Sequence, residues 1–166
     1  AQGHFMCDDG RYGYHHANSG ERFVRPVVKA EGRFKPAPWN VLLPQLKQEF
    51  ADAAKANAKG TVAVLSPFLT VEEAFLLGSH FKSLSPDVRL AIGPVPVIGE
   101  DDKYPKNAKG ESVEPVKFTI RAEKAPNRIG VEEVIKALQG EVLAFANIAG
   151  EGFGAMWFAG GYPDPS

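Results

Sequence analysis

Cysteine is almost missing from this sequence: among 166 residues, Cys7 is the sole thiol. A disulfide framework within the chain is excluded, and with it the small stapled folds of secreted domains. A single cysteine fits a reducing compartment. Long apolar runs are missing too. No stretch approaches the ~20 residues that a membrane-crossing helix needs, and the opening residues do not read as a secretory leader. Charge of one sign is also lacking. Nineteen basic residues face 20 acidic ones, for a net charge of −1. No large one-signed field steers such a chain to nucleic acid or to an anionic membrane. What remains is the composition of a soluble globular protein, 44% hydrophobic and 23% charged, without internal repeats or low-complexity tracts. The chain opens on Ala1 inside patterned sequence, so it reads as a piece of something longer, cut at both ends.

Two regions differ in texture. Residues 1–37 are rich in Gly, His, Arg and aromatics, with no sustained period, and read as an extended N-terminal arm laid over the domain. Within it, "ERFVRPVVKAEGRF" (21–34) suits short strands, interrupted by Pro26 and turned at "AEG". Residues 38–166 read as an α/β domain. Trp39, Leu42, Leu43, Leu46, Phe50, Ala53 and Ala54 recur at helical spacing, which predicts an amphipathic helix over 40–57, N-capped by Asn40 with Pro44 near its first turn. "TVAVLS" (61–66) is a buried strand by its β-branched apolar run. "TVEE" (70–73) is a capping box that opens a helix ending before Pro86. "VRLAIG" (88–93) is the next strand, and strand–helix–strand with short joints implies a parallel pair.

Residues 94–129 break this rhythm and read as a long surface loop, except that "VKFTIRAE" (116–123) alternates like an edge strand or half of a hairpin. "GVEEVIKALQG" sets Val131, Val134, Ile135 and Leu138 on one helical face, with Gly140 as the C-cap. "EVLAFANIAG" (141–150) suits helix or strand and leans to helix. "FGAMWFAGG" (153–161), apolar on both faces, suits a central parallel strand ending in a glycine turn. The sum is a small three-layer α/β domain, with a short, mainly parallel sheet of about three strands flanked by helices.

Chemistry-bearing residues are sparse. Cys7 sits in "GHFMCDDGRYGYHH", near His15 and His16, but no oxyanion arrangement or orienting group accompanies it, and the spacing is not that of a zinc site. A half-buried apolar role is the simplest reading. A single thiolate given to a cluster whose other ligands lie elsewhere is also sensible, because iron–sulfur clusters take four thiolates. "SPFLT" and "GPVPVIG", which follow the first two strands of the domain, lack the glycine spacing of a phosphate cradle. "GEGFG" (150–154) precedes a strand and reads as a turn, while "AGG" (159–161) reads first as a tight turn and second as a place where backbone approaches a ligand. Arg22 and Arg25 suit either an anion clamp or surface charge. The acids at 72–73, 100–102 and 132–133 read as solvated or as first-turn charges, and His80 has no partner in the pattern.

Met6, Cys7, Asp8, Gly10, Arg11, Tyr12, Gly13 and Tyr14, then "ERFVRPVVKAEG" and Trp39, resemble the segment that enters the large domain of the molybdopterin oxidoreductase superfamily. The form resembled is that of the large iron–sulfur subunit of NADH:quinone oxidoreductases. "VAVLSPFLTVEEAFLL", "APNRIGVEEV" and "GAMWFAGGYPDP" resemble later elements of the same domain. The resemblance implies that Cys7 is the last ligand of a [4Fe-4S] cluster in the full-length parent, with no catalytic residue in this chain and no molybdopterin expected. It implies a non-catalytic scaffold in electron transfer from NADH to quinone. The partners implied are other domains of its own chain and other subunits of a respiratory complex, on the inner face of the cytoplasmic membrane and without membrane insertion or nucleic acid. The alternatives are a cofactor-binding piece of a true molybdopterin enzyme, such as a formate dehydrogenase, and a stand-alone nucleotide- or protein-binding α/β module.

Overall fold

The short strands expected within 21–34 form a hairpin. A computed structural model describes residues 18–22, 24–148 and 150–160, and the chain divides into two compact units, Ala1–Gln48 and Glu49–Ser166. In the first, β1 (Val27–Ala30) pairs antiparallel with β2 (Arg33–Pro36), from Val27 opposite Pro36 to Ala30 opposite Arg33. Glu31 and Gly32 form the turn with φ of 53° and 76°. Two successive positive φ values match the twist of the flanking strands, and Gly32 adopts this geometry without a Cβ penalty. Pro26 donates no hydrogen bond and falls just before β1, as its missing N–H requires.

Helix α1 (Trp39–Asn57) starts one residue before the expected Asn40 cap. The carbonyl of Pro38 accepts from the amides of Val41 and Leu42, 3.0 Å each, so Pro38 takes the capping position and Asn40 lies inside the helix. Pro44 then falls in the second turn, where it leaves one carbonyl without its amide partner. A single 3₁₀ turn (Ala58–Gly60) follows, in which the Asn57 side chain accepts from the Gly60 amide at 2.9 Å.

The second unit holds a four-stranded parallel sheet in the order β7 (Leu143–Ala144), β4 (Arg89–Ile92), β3 (Thr61–Leu65), β8 (Ala155–Phe158). Its centre is β3 (Thr61–Leu65), every residue of which is buried. Helix α2 (Val71–Leu84) connects it to β4 (Arg89–Ile92). The expected capping box is present: the Thr70 hydroxyl accepts from the Glu73 amide at 3.2 Å, and the Glu73 carboxylate accepts from the Thr70 amide at 2.9 Å. Helix α3 (Arg128–Gln139) ends at Gly140, whose φ of 86° is the left-handed C-cap expected for glycine.

Three further expectations need correction. Residues 94–129 are not a plain loop, because they contain β5 (Asp102–Tyr104) and β6 (Phe118–Ile120), an antiparallel pair that stacks Tyr104 on Phe118 at 4.8 Å. The strand expected at 116–123 is half of this hairpin. Its partner is hidden in "DDKY", where charge masks alternation. Residues 141–150 split into β7 (Leu143–Ala144) and the single turn α4 (Phe145–Ile148), which adds a fourth parallel strand. Strand β8 (Ala155–Phe158) pairs only with β3 and is the sheet's margin among the described residues. Its apolar character on both faces has another cause. Trp157 packs into the helical core against Phe50 and Phe81, while Met156 and Phe158, on the opposite face, stay partly open.

The faces of the sheet are covered unequally. Ala63, Leu65, Leu90 and Ile92 pack beneath α2, α3 and the end of α1, through Ala74, Phe81, Val131, Val134, Ile135 and Ala54. Val62, Val64 and Ala91 face the other way, onto Ile148 with Phe145 and Phe153. These are the three layers. At ~25 cal/mol per Å² of apolar area buried, the first face supplies most of the stabilisation.

β7 pairs with β4 only at Ala91 and Ile92. Below that point the side chain of Gln139 stands in for a strand: its carbonyl accepts from the Leu90 amide at 2.9 Å and its amide donates to the Leu90 carbonyl at 2.7 Å. Replacing Gln139 with alanine is expected to destabilise the fold by about 1–3 kcal/mol, the cost of stranding buried backbone groups. The urea midpoint should fall with an unchanged slope, and Gln139→Leu should cost a similar amount although it restores volume.

Candidate functional site

The strand order decides where a ligand would bind. From β3 the chain moves through β4 to β7 on one side, then returns beneath the other face through α4 to β8 on the opposite side of β3. The order reverses between β3 and β8. In open parallel sheets, ligands bind outside the carboxyl ends of the strands at such a reversal. Here those ends are Ser66–Pro67 after β3 and Ala159–Gly160 after β8.

The two ends are tied closely. The amide of Ala159 donates to the Val64 carbonyl at 3.0 Å, and that of Gly93 donates to Leu65 at 2.8 Å. Ser66 is fully buried, and its hydroxyl accepts from the Phe68 amide at 3.1 Å. Gly160 has φ of 89°, and a Cβ built on it would lie 2.8 Å from the Ser66 Cβ and 2.9 Å from its Oγ. Glycine is therefore required at 160 twice over, by conformation and by space. Asn127 completes the rim by donating its backbone amide to the Pro67 carbonyl at 3.1 Å and its side-chain amide to the Leu69 carbonyl at 2.8 Å. These groups offer a close backbone approach and one hydroxyl. At the "AGG" stretch the group that lies against Gly160 is the Ser66 side chain of the same chain. Ser66 and Asn127 are not legible as rim residues in the sequence, because neither lies on a periodic face.

The other candidates scatter. Cys7, His15 and His16 lie outside the described residues. Arg22 and Arg25 form no ion pair with a described residue. His80 is exposed, its ring 5.5 Å from that of Phe81. The acids are less idle than they read. Asp101 accepts from the Ala122 amide at 2.8 Å, Glu132 and Glu123 both grip Arg128, and Glu133 pairs with Lys136. Arg128 is held above its ordinary pKa, first by Glu123 and then by Glu132. Burial pushes Lys82 down while Asp87 opposes it, and its ammonium donates to the carbonyls of Pro86 and Val88. Among the described residues no group of three or more His, Cys, Asp or Glu converges as a metal site. No described helix is long and apolar enough to cross a membrane.

Similarity to known proteins is confined to short stretches. The chain is 32% identical over 74 residues to the assimilatory nitrate reductase catalytic subunit of Bacillus subtilis, covering 44% of this chain and 10% of that protein. It is 35% identical over 72 residues to a subunit of the NADH-quinone oxidoreductase of Streptomyces coelicolor, covering 43% of this chain and 8% of that one. The matched part thus spans about a tenth or less of the length of these curated relatives. No protein-family model matches, and no solved structure does. Both relatives are oxidoreductase subunits, in keeping with the superfamily resemblance of the sequence.

Two outcomes test this geometry. Gly160→Ala is expected to destabilise the chain by about 2 kcal/mol, because it adds a positive-φ penalty to a clash with buried Ser66. Chemical denaturation checks this, and Ser66→Gly should recover part of the loss in the double variant. In the β5–β6 hairpin, Lys106 first and Tyr104 second hold the Asp102 carboxyl below its ordinary value of 3.8. A lowered carboxyl pKa stabilises the fold above the unfolded value, and that contribution fades as pH falls through the folded one. Amide shifts of the hairpin should therefore titrate below pH 3.8, and Asp102→Asn should abolish that step.

Proposed function

We propose that this chain is a scaffold portion of an iron–sulfur electron-transfer subunit of an NADH:quinone oxidoreductase. In this reading it is non-catalytic by itself and works through other domains of its parent and through neighbouring subunits, at the inner face of the cytoplasmic membrane. The similarity to the NADH-quinone oxidoreductase subunit of Streptomyces coelicolor carries the reading, together with the "MCDDGRYGY" resemblance around Cys7. Cys7 would be one thiolate of a [4Fe-4S] cluster completed elsewhere in the parent. Such a cluster supplies one-electron transfer. This chain's share is a rigid, close-packed sheet, which fixes the position of whatever is attached to it.

The second reading is a cofactor-binding piece of a true molybdopterin oxidoreductase. It is favoured by the similarity to the nitrate reductase catalytic subunit and by the reversal of strand order beside Gly160. Against it, the end of β3 is already occupied by the Ser66 side chain, which lies against Gly160 and turns its hydroxyl to the Phe68 amide.

The full-length parent separates these readings. Under the scaffold reading, Cys7→Ala removes about four irons per chain and one reduced-cluster signal in electron paramagnetic resonance, with an unchanged circular dichroism spectrum and no molybdenum or tungsten in either protein. Unaltered iron and spectra in the variant would sink the cluster assignment. Stoichiometric molybdenum or tungsten in the parent would select the second reading.

A further inference from the structure

Charge is divided unevenly between the two units. Residues 1–48 carry seven basic and four acidic side chains, a net charge of +3, whereas residues 49–166 carry twelve and sixteen, a net charge of −4. More than half of the acids of the second unit are engaged: Asp102, Glu123, Glu132, Glu133 and Glu151 in ion pairs, Glu73 in its cap, Asp101 and Glu114 on backbone amides and Glu111 on the Asn107 side chain. Most cations of the first unit are not, Lys35 on Glu31 being the exception among the described residues. Arg22, Arg25, Lys29, Arg33 and Lys47 bond no described residue through their side chains. The undescribed residues hold only Asp8, Asp9 and Asp164 as acids, too few to neutralise these five cations.

Beside this surplus lies apolar surface left in water. Val24 is 87% exposed, Phe34 66% and Trp39 58%. Val24, Arg25, Pro26, Val27 and Trp39 line a cleft of about 350 Å³ within the first unit. Across the hairpin, Phe34 and Lys29 are directly opposite, so an aromatic ring and an ammonium share one face. Tryptophan, arginine and other aromatics around an apolar recess are the residue types that dominate binding energy at protein interfaces. A two-stranded hairpin is also marginal in water unless something covers it.

We propose that this cleft receives an acidic segment of a partner polypeptide: an apolar or aromatic side chain enters beside Trp39 and Val24, and neighbouring carboxylates meet Arg25 and the cations of the hairpin. Charge complementarity selects the partner. A second copy of this chain offers mostly spent acids. Single-stranded nucleic acid needs a continuous basic groove, whereas here one arginine lines an otherwise apolar recess. The inference rests on charge and exposure alone and is independent of the electron-transfer reading.

The test uses the whole chain and three fluorescent 12-residue probes: a peptide alternating Asp with Phe and Leu, the same peptide with Lys for Asp, and oligo-dT. Anisotropy is expected to show saturable binding of the acidic–apolar peptide alone, weakening with added salt. Arg25→Glu and Val24→Asp should each weaken binding at least ten-fold. Both positions tolerate these changes in folding terms, since Val24 is exposed and Arg25 pairs with no described residue, and circular dichroism confirms the fold. Lys109→Glu, an exposed charge reversal outside the first unit, should leave binding unchanged. The proposal fails if the acidic peptide does not bind, if oligo-dT or the basic peptide binds as well, or if Lys109→Glu weakens binding as much as Arg25→Glu. Sedimentation showing self-association that excludes the peptide would also overturn it, by making a second copy the occupant.

Discussion

Everything in the second unit hangs on one buried strand. β3 has no residue in contact with water, and its backbone is hydrogen-bonded on both sides, to β4 from Val62 to Leu65 and to β8 from Thr61 to Val64. In such a strand no polar group can be left over, so each neighbour must hold its register throughout. The helices above and the short α4 below are consequences of its alternation: Ala63 and Leu65 call for one cover, Val62 and Val64 for another. The same strand delivers Ser66 to the reversal point and there meets the end of β8.

The helical layer shows how closeness is reached. α2 approaches α3 with Gly78 at the contact, where a Cβ would fall 2.6 Å from the Leu138 side chain and 3.3 Å from that of Leu90. A glycine inside a helix costs about 1 kcal/mol relative to alanine. Here it lets leucines from another helix and from the sheet fill the space a side chain would take. The aromatic trio of Phe50, Phe81 and Trp157, with centroids 5.4–5.7 Å apart, seals the same layer toward β8.

The sequence is most legible where one period runs undisturbed. β3, the capping box at Thr70, the face of α3 and the Gly140 cap can all be read from local pattern, because each rests on neighbours within a few residues. Legibility fails where the deciding partner is distant. Asn40 looks like a cap, but the carbonyl of Pro38 takes that place. Residues 141–150 are ambiguous because two residues of strand and one helical turn share a single apolar run, and only the exposed edge of β4 selects between them. β5 is masked by charges that serve the hairpin itself. At the candidate site, the glycine at 160 is a visible sign, but its reason, the Ser66 side chain more than ninety residues away, is not. Cys7 carries the strongest family resemblance and lies outside the described residues, so its assignment still rests on sequence alone.

The two margins of the sheet are not alike. At one, the carboxamide of Gln139 occupies both hydrogen-bonding groups of Leu90 and, with the two residues of β7, leaves little backbone for another strand to engage. At the other, β8 offers its outer side unpaired among the described residues, with Met156 and Phe158 half-open beside it. The sheet is therefore directional. Among the described residues, a strand recruited in assembly or in aggregation finds four residues of unpaired edge at β8 and only two at β7, so β8 is the wider flank for enlargement.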